Sequence, residues 1–281
     1  MQFVLFNPLA NNKMGEKTAR DYLNGVIDGE AEFVDITTID DLCAWIMSKT
    51  DSDRIILAGG DGTINRLANA LGDNDPPCDI DYAPTGSGND FAKDIGSAEK
   101  LIKLNGYIKN LPTVTVNGET HKFINGIGYG IDGYCCEVGD EMKKHTDKPI
   151  NYASIAIKGL LFHFKRPNAT VTVDGQTASY KKVWLAPTMK GRYYGGGMMI
   201  APDQDRNDAD GKLSLVVLHK SGKLKTLMIF PSIFKGQHVK HGKIVSIIEG
   251  HEFTVKFDRP TALQIDGETV LGVTEYSVSA K

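Results

Sequence analysis

Three polar stretches in this 281-residue chain, two of them glycine-rich, have the residue types of phosphate-binding turns. The clearest is Leu57-Ala58-Gly59-Gly60-Asp61-Gly62-Thr63, which follows the apolar run 54–57 and precedes the helix-like run 64–71. Glycines let the main chain come close to a ligand, and N–H groups at a helix start, expected here at Thr63, Ile64 and Asn65, attract an anion. Asp61 adds a negative charge, which suits a divalent cation lying between the carboxylate and phosphates. The design recurs after the short strand pattern 80–83, in Pro84-Thr85-Gly86-Ser87-Gly88-Asn89-Asp90. A third version, Asn7-Pro8-Leu9-Ala10-Asn11-Asn12-Lys13, follows the apolar run 3–6; Asn7 and the turn's N–H groups could meet phosphate oxygens, and Lys13 could supply a cation or be a solvated loop lysine. Any one such turn could be empty of ligand. Consecutive turns of one design belong at the carboxyl ends of neighbouring parallel strands, where open α/β sheets bind ligands.

The elements that must hold these turns alternate. A helix-like segment over 16–27 follows the first turn, residues 31–36 alternate like a strand, and Asp40 leads into the helical pattern 41–48. Continued to Lys103, the alternation describes an α/β doubly wound parallel sheet. After Asn110 strands follow strands: 111–116 with the hairpin-like Asn117-Gly118, 122–132, 170–175, 182–186, 213–218, 244–248 and 253–257. This pattern predicts an antiparallel, β-rich, sandwich-like second domain. The expected division is 1–115 and 116–270, with residues 270–281 free to return to the first domain.

Two helical stretches interrupt the β pattern, 151–164 and 222–236, each rich in Leu, Ile and Phe. Packing on the β domain and contact with lipid both fit them. No acidic residue occurs from Gly211 through Ile248, whereas Lys220, Lys223, Lys225, Lys235, Lys240 and Lys243 do, so an anionic surface would be attracted there.

Composition bounds the function classes. With 41% hydrophobic and 24% charged residues the chain can bury one large core or two ordinary ones. The formal charge of −3 and the lack of basic arms argue against nucleic acid as a partner. Cys43, Cys78, Cys135 and Cys136 have no C-x-x-C spacing, which fits reduced cytoplasmic thiols. The amino terminus lacks a signal-peptide pattern, and no apolar run approaches the roughly 20 residues of a membrane span. The reading is a cytoplasmic protein able to touch a membrane peripherally; it leaves a homo-oligomer open.

The turns resemble those of the diacylglycerol kinase-like lipid kinases, a family that includes soluble bacterial diacylglycerol kinases and sphingosine kinases. The resemblance rests on residues 57–65 and 84–92, on Gly195-Gly196-Gly197-Met198 followed by Pro202 and Asp210-Gly211, and on Asn7-Pro8, Gly130-Ile131-Asp132, residues 234–238 and Ile265-Asp266-Gly267-Glu268. It implies a nucleotide-binding domain and a β-rich domain facing each other across an active cleft, with ATP and Mg²⁺ as cofactors. It also implies transfer of a γ-phosphoryl group to the hydroxyl of a lipid such as diacylglycerol. By position, Asn7, Pro8, Leu9, Ala10, Asn11, Lys13, Thr37, Gly59, Gly60, Asp61, Gly62, Thr63, Ile64, Asn65, Arg66, Gly86, Ser87 and Asn89 contact ATP. Asp61, Asp90 and Glu268 surround the catalytic magnesium, and Asp266 is the base. A further, structural magnesium falls to Asp210 with carbonyl oxygens of Asn207 and Lys212, and Asp132 links it towards the active site. The chain differs from the family pattern at Arg66, where Glu is usual, at Asn11, where Gly is usual, and in a longer loop over 202–211. Two other readings fit the same residues: a nicotinamide-dinucleotide kinase, and a non-catalytic lipid- or nucleotide-binding protein.

Overall fold

The computed structural model describes residues 1–146 and 150–280, and the chain divides into two compact units, Met1–Leu111 and Pro112–Lys281. The first unit has a five-stranded sheet in the order β2-β1-β3-β4-β5, comprising β1 Gln2–Phe6, β2 Ala31–Asp35, β3 Arg54–Gly59, β4 Asp79–Pro84 and β5 Ile102–Lys103. Strands β1 to β4 are parallel; β5 is antiparallel to β4. Ile55, Ile56, Leu57 and Ala58 of β3 are all buried, the mark of a parallel strand covered on both faces by crossover helices. The chain leaves β1 towards β2 on one side and returns to β3 on the other. This switch point opens a crevice at the carboxyl ends of β1 and β3, and the three polar turns follow β1, β3 and β4 there.

The strands of the second unit are β6 Thr113–Val116, β7 Glu119–Lys122, β8 Gly126–Tyr129, β9 Ala169–Val173, β10 Gln176–Tyr180, β11 Thr188–Met189, β14 Leu213–Leu218, β15 Val245–Gly250, β16 Glu252–Ile265 and β17 Glu268–Ser279, besides the separate pair β12 Tyr193–Tyr194 and β13 Met198–Met199. Apart from that pair they form a ten-stranded sheet running β15-β14-β11-β8-β16-β17-β6-β7, with β9 joining β16 and β10. Its long members are β16, Glu252–Ile265, and β17, Glu268–Ser279, paired along most of their length. A register shift between Lys256 and Thr261, at Pro260, divides β16 into two halves. The first half pairs with β9, Ala169–Val173; the second pairs with β8, Gly126–Tyr129. Tyr129 stacks on Phe257 at 3.8 Å between ring centroids, so the sheet closes over its own core with Val114, Val171, Leu215, Leu263 and Tyr276. Residues 270–279 do not return to the first unit: they form β17, held between β16 and β6, Thr113–Val116.

Three two-residue turns with positive φ at both positions close hairpins of this sheet: Asn117-Gly118, Asp174-Gly175 and Asp266-Gly267. Asn and Asp tolerate the left-handed conformation and Gly adopts it freely, and the backbone twist of such turns matches that of the strands. Strand β14, Leu213–Leu218, is buried on both faces: Leu213, Leu215 and Val217 meet the sheet core, and Val216 and Leu218 meet a helical layer. That layer contains Ile131–Lys143, Tyr152–Lys158 with its continuation Gly159–His163, and Lys223–Ile233.

Two expectations change. Residues 182–186 make only isolated bridges, and the stretch read as one strand over 122–132 ends at Tyr129, where a helix begins at Ile131. Glycines obscured that helix. A Cβ on Gly133 would lie 2.0 Å from the Ala262 carbonyl oxygen, and one on Gly139 2.6 Å from the Tyr152 ring, so both positions serve close packing.

Because Phe257 is buried and stacked at the fold of the sheet, Phe257→Ala should lower stability by about 3–5 kcal/mol. Urea denaturation followed by tryptophan fluorescence measures it; a loss below about 1 kcal/mol would mean the two sheet halves are not held together here.

Candidate active site

In the first unit the glycine turns after β3 and β4 touch backbone to backbone. A Cβ on Gly86 would lie 2.4 Å from Gly60 Cα, and the Thr85 and Gly86 N–H groups donate to the Gly59 carbonyl at 3.0 and 2.9 Å. Only glycine permits that approach. Asp61 bonds the pair from its side chain, taking the N–H groups of Asp90 and Phe91 at 2.9 Å each and so capping the Asp90–Ile95 helix. The Asn89 amide donates to the carbonyls of Pro84 and Gly86. The first turn joins them through Asn11, whose amide donates to the Thr85 carbonyl at 2.7 Å. Asn11, Asn12 and Lys13 run left-handed, a conformation that Asn tolerates better than most residues. Asn11, Gly59, Gly60, Asp61, Gly86, Asn89 and Asp90 are therefore brought together.

The helix after β3 begins at Asp61, two residues earlier than expected. Its N–H groups at Thr63 and Ile64 close onto the Gly60 carbonyl, so Asp61 and Gly62 occupy the first two helical positions where N–H groups face outward. Arg66 and Thr37 bond at the end of β2: Arg66 donates to the Ile36 carbonyl at 3.3 Å, and Thr37 to the Asp35 carboxylate at 2.7 Å.

In the second unit the Asp266 carboxylate lies in a backbone cradle. Oδ2 accepts the Ile124 N–H at 2.6 Å, and Oδ1 accepts those of Asn125 and Gly126 at 2.8 and 3.0 Å. The Gly267 N–H of the same turn donates to Gln264 Oε1 at 2.6 Å. Asp174, in the equivalent turn, takes the N–H groups of His251 and Glu252 at 3.0 and 2.8 Å. An Asp-Gly turn splinted to a neighbouring strand is thus a repeated building device here, and Asp266 carries one more donor than its counterpart. Glu268 is exposed on the far side of the turn.

Sequence reading missed Gln264 and Asn125. A Cβ on Gly128 would fall 2.5 Å from both Asp132 Oδ2 and Gln264 Nε2, so glycine there leaves room for both polar groups, and Gln264 also reaches the Asp266-Gly267 turn. Buried Asp132 also accepts the Tyr194 hydroxyl at 3.0 Å. Phe123, Ile127 and Tyr129 belong to the main core, and Tyr134 packs beside Phe164.

The amino-terminal part of the chain, residues 2–122, matches the diacylglycerol kinase catalytic domain, and residues 125–279 match the YegS C-terminal NAD kinase beta sandwich-like domain. The chain belongs to the diacylglycerol kinase-like lipid kinases. It is a lipid kinase, a phosphotransferase. Among similar proteins, a diacylglycerol kinase of Mycobacterium tuberculosis is 26% identical over 251 residues, covering 84% of this chain and 79% of its own. A diacylglycerol kinase of Bacillus subtilis is 26% identical over 224 residues, covering 77% and 71%. A crystal structure of a diacylglycerol kinase from Bacillus anthracis superposes with a TM-score of 0.63 at 18% identity, covering 99% of this chain and 92% of that one, and supports the fold.

Two metal sites are implied for this lipid kinase, and they fare differently. Asp61 and Asp90 both lie at the start of helices in the first unit, the Asp90 N–H bonding the Asp61 carboxylate, and carboxylate oxygens are the donors magnesium prefers. Among the described residues no group of three or more His, Cys, Asp or Glu could hold a metal, so Asp61, Asp90 and Glu268 are not gathered into one carboxylate cluster. The structural site does not fit. The Lys212 carbonyl is taken by the buried Gln204 amide at 3.0 Å, and the Asp210 carboxylate pairs with the Lys212 ammonium at 3.1 Å and is 68% exposed. Protein donors already close the loop over 202–212.

Burial pushes the Asp132 carboxyl up to about 6, against the opposing pull of the Tyr194 hydroxyl and the Gly133 N–H. Its folded-state value exceeds the unfolded value of about 3.9, so its contribution to stability is complete below about pH 4 and is lost as pH rises to about 6. Asp132→Asn should therefore flatten the fall in stability across this window, a change of roughly 3 kcal/mol at most by linkage. Urea midpoints at about pH 4 and pH 7 for wild type and variant decide it; parallel curves would remove Asp132 as the cause.

Proposed function

We propose that this lipid kinase transfers the γ-phosphoryl group of MgATP to the primary hydroxyl of a diacylglycerol-like lipid at an anionic membrane surface. The observation that carries the nucleotide half is the backbone contact of Gly60 with Gly86 under the Asp61 carboxylate. Main-chain N–H groups without side-chain bulk suit phosphates, and phosphoryl transfer needs alignment and charge neutralisation more than covalent chemistry. Magnesium held by Asp61 and Asp90 would neutralise the phosphates. The acceptor half is read from Asp266: a carboxylate held by three N–H groups has a fixed orientation, which suits an acceptor for the attacking hydroxyl's proton. Diacylglycerol is the first choice of lipid because relatives covering most of this chain are named for it. A nicotinamide dinucleotide is the competing acceptor.

Asp266→Asn should lower kcat on the order of 10²-fold or more, by analogy with loss of a preorganised electrostatic group. Asp174→Asn breaks the same kind of turn, so it calibrates the structural effect and should leave kcat within about threefold. Glu268→Gln, at an exposed position, should raise the magnesium concentration needed for half-maximal rate. The assay uses labelled ATP with diacylglycerol, sphingosine, phosphatidylglycerol, undecaprenol and NAD presented in parallel. Asp266→Asn as active as Asp174→Asn, or phosphorylation of NAD in preference to every lipid, refutes the proposal.

The membrane face is read from the helical layer of the second unit. Phe162, Leu224 and Met228 are 73%, 73% and 74% exposed, and Lys223 ties their two helical segments together by donating to the Leu161 carbonyl at 2.6 Å. Residues 151–173 and 211–248 contain no Asp or Glu. Apolar tips among lysines complement an anionic bilayer, each lysine adding about 1 kcal/mol near its surface. No helix among the described residues is long and apolar enough to cross a membrane. Replacing Leu224 and Met228 with Gln should weaken cosedimentation with phosphatidylglycerol vesicles by about tenfold or more, given roughly 1.5–3 kcal/mol for each buried side chain. Unchanged binding, or binding insensitive to salt, places the docking face elsewhere.

A further inference from the structure

The long loop over 202–211 contains a buried cation that no role so far described uses. Arg206 is 7% exposed, and a guanidinium is buried at great cost unless its donors are met. Its Nη1 donates to the carbonyl oxygen of Ile124, and its Nη2 donates to Asn125 Oδ1 at 2.7 Å. The Ile124 carbonyl and the Asn125 N–H are two ends of one peptide unit, and that N–H donates to Asp266 Oδ1 at 2.8 Å. A single peptide group therefore separates the guanidinium from the carboxylate, its dipole aligned with both charges. In a buried site such a chain of hydrogen bonds reinforces itself. Asn125 is fixed from its other side as well: its carbonyl accepts the N–H groups of Lys190 and Gly191 at 2.8 and 3.0 Å.

We propose that Arg206 is a positioning residue for Asp266: the guanidinium locks the Ile124-Asn125 peptide so that its N–H, with those of Ile124 and Gly126, aims the Asp266 carboxylate. The inference rests on the reading of Asp266 as the proton acceptor. Only a planar fork of donors reaches a carbonyl and a side-chain amide oxygen together, so lysine is an incomplete substitute.

The test compares Arg206→Ala, Arg206→Lys, Asp266→Asn and the double variant in the diacylglycerol assay, with folded fraction set by circular dichroism. Arg206→Ala should lower kcat about ten- to a hundredfold with KM for ATP within twofold, because the nucleotide turns lie in the other unit. Arg206→Lys should fall between wild type and Ala, and millimolar guanidinium should restore part of the Ala variant's kcat. In the Asp266→Asn background, Arg206→Ala should cost little more, since both act on one group. Should the Ala protein fail to fold, Arg206→Lys and the double variant built from it carry the comparison. The proposal is overturned if folded Arg206 variants keep kcat within threefold while Asp266→Asn is inactive, or if Arg206 and Asp266 losses multiply. An active Asp266→Asn enzyme overturns instead the reading on which it rests.

Discussion

The interaction on which both units depend is a turn carboxylate accepting backbone N–H groups from a segment distant in sequence. Asp61 takes the N–H groups of Asp90 and Phe91, about 30 residues on, and thereby holds two glycine turns in contact. Asp266 does the same for a segment 140 residues earlier. Without the first, the Asp90–Ile95 helix loses its cap; without the second, three N–H groups at the start of β8 lose their acceptor. Leaving such donors buried and unmet costs more than the bonds contribute when made. Carboxylates that a kinase needs for metal or proton chemistry are thus also fasteners, and the two demands act on the same atoms.

That overlap explains which parts of the site were legible in the sequence. Glycine, aspartate and asparagine in the turns declare themselves locally, because a positive φ or close backbone approach needs those residue types wherever it occurs. The strands before the turns were equally plain, since runs such as residues 54–57 are apolar on both faces. Partners were not legible. Nothing near Asp61 announces Phe91, and nothing near Arg206 announces Ile124, because each contact is a product of strand order rather than of spacing. The helix from Ile131 was hidden for a related reason: its glycines look like breaks until the Ala262 carbonyl and the Tyr152 ring are seen against them.

The altered loop over 202–212 shows how insertion can change the source of stability. Gln204 meets the carbonyls of Asp205 and Lys212, Lys212 meets Asp210, and Arg206 reaches the peptide beside Asp266. The Gln204 amide and the Lys212 ammonium thus meet the Lys212 carbonyl and the Asp210 carboxylate, two of the groups that the family pattern assigns to a divalent ion.

The hairpin at Asp266-Gly267 has one more consequence, for the chemical lifetime of the protein. Asp followed by Gly is the pairing in which a side-chain carboxyl most easily attacks the next backbone nitrogen, since glycine offers no steric shield, and ring opening then leaves an isomerised backbone. Here the carboxyl is turned away by the N–H groups of residues 124–126, and the Gly267 nitrogen is occupied by Gln264. Attack requires both splints to open at once. The turn that would do the chemistry is therefore also shielded from ageing, whereas the exposed pairs Asn24-Gly25 and Asn117-Gly118 are where damage should first accumulate.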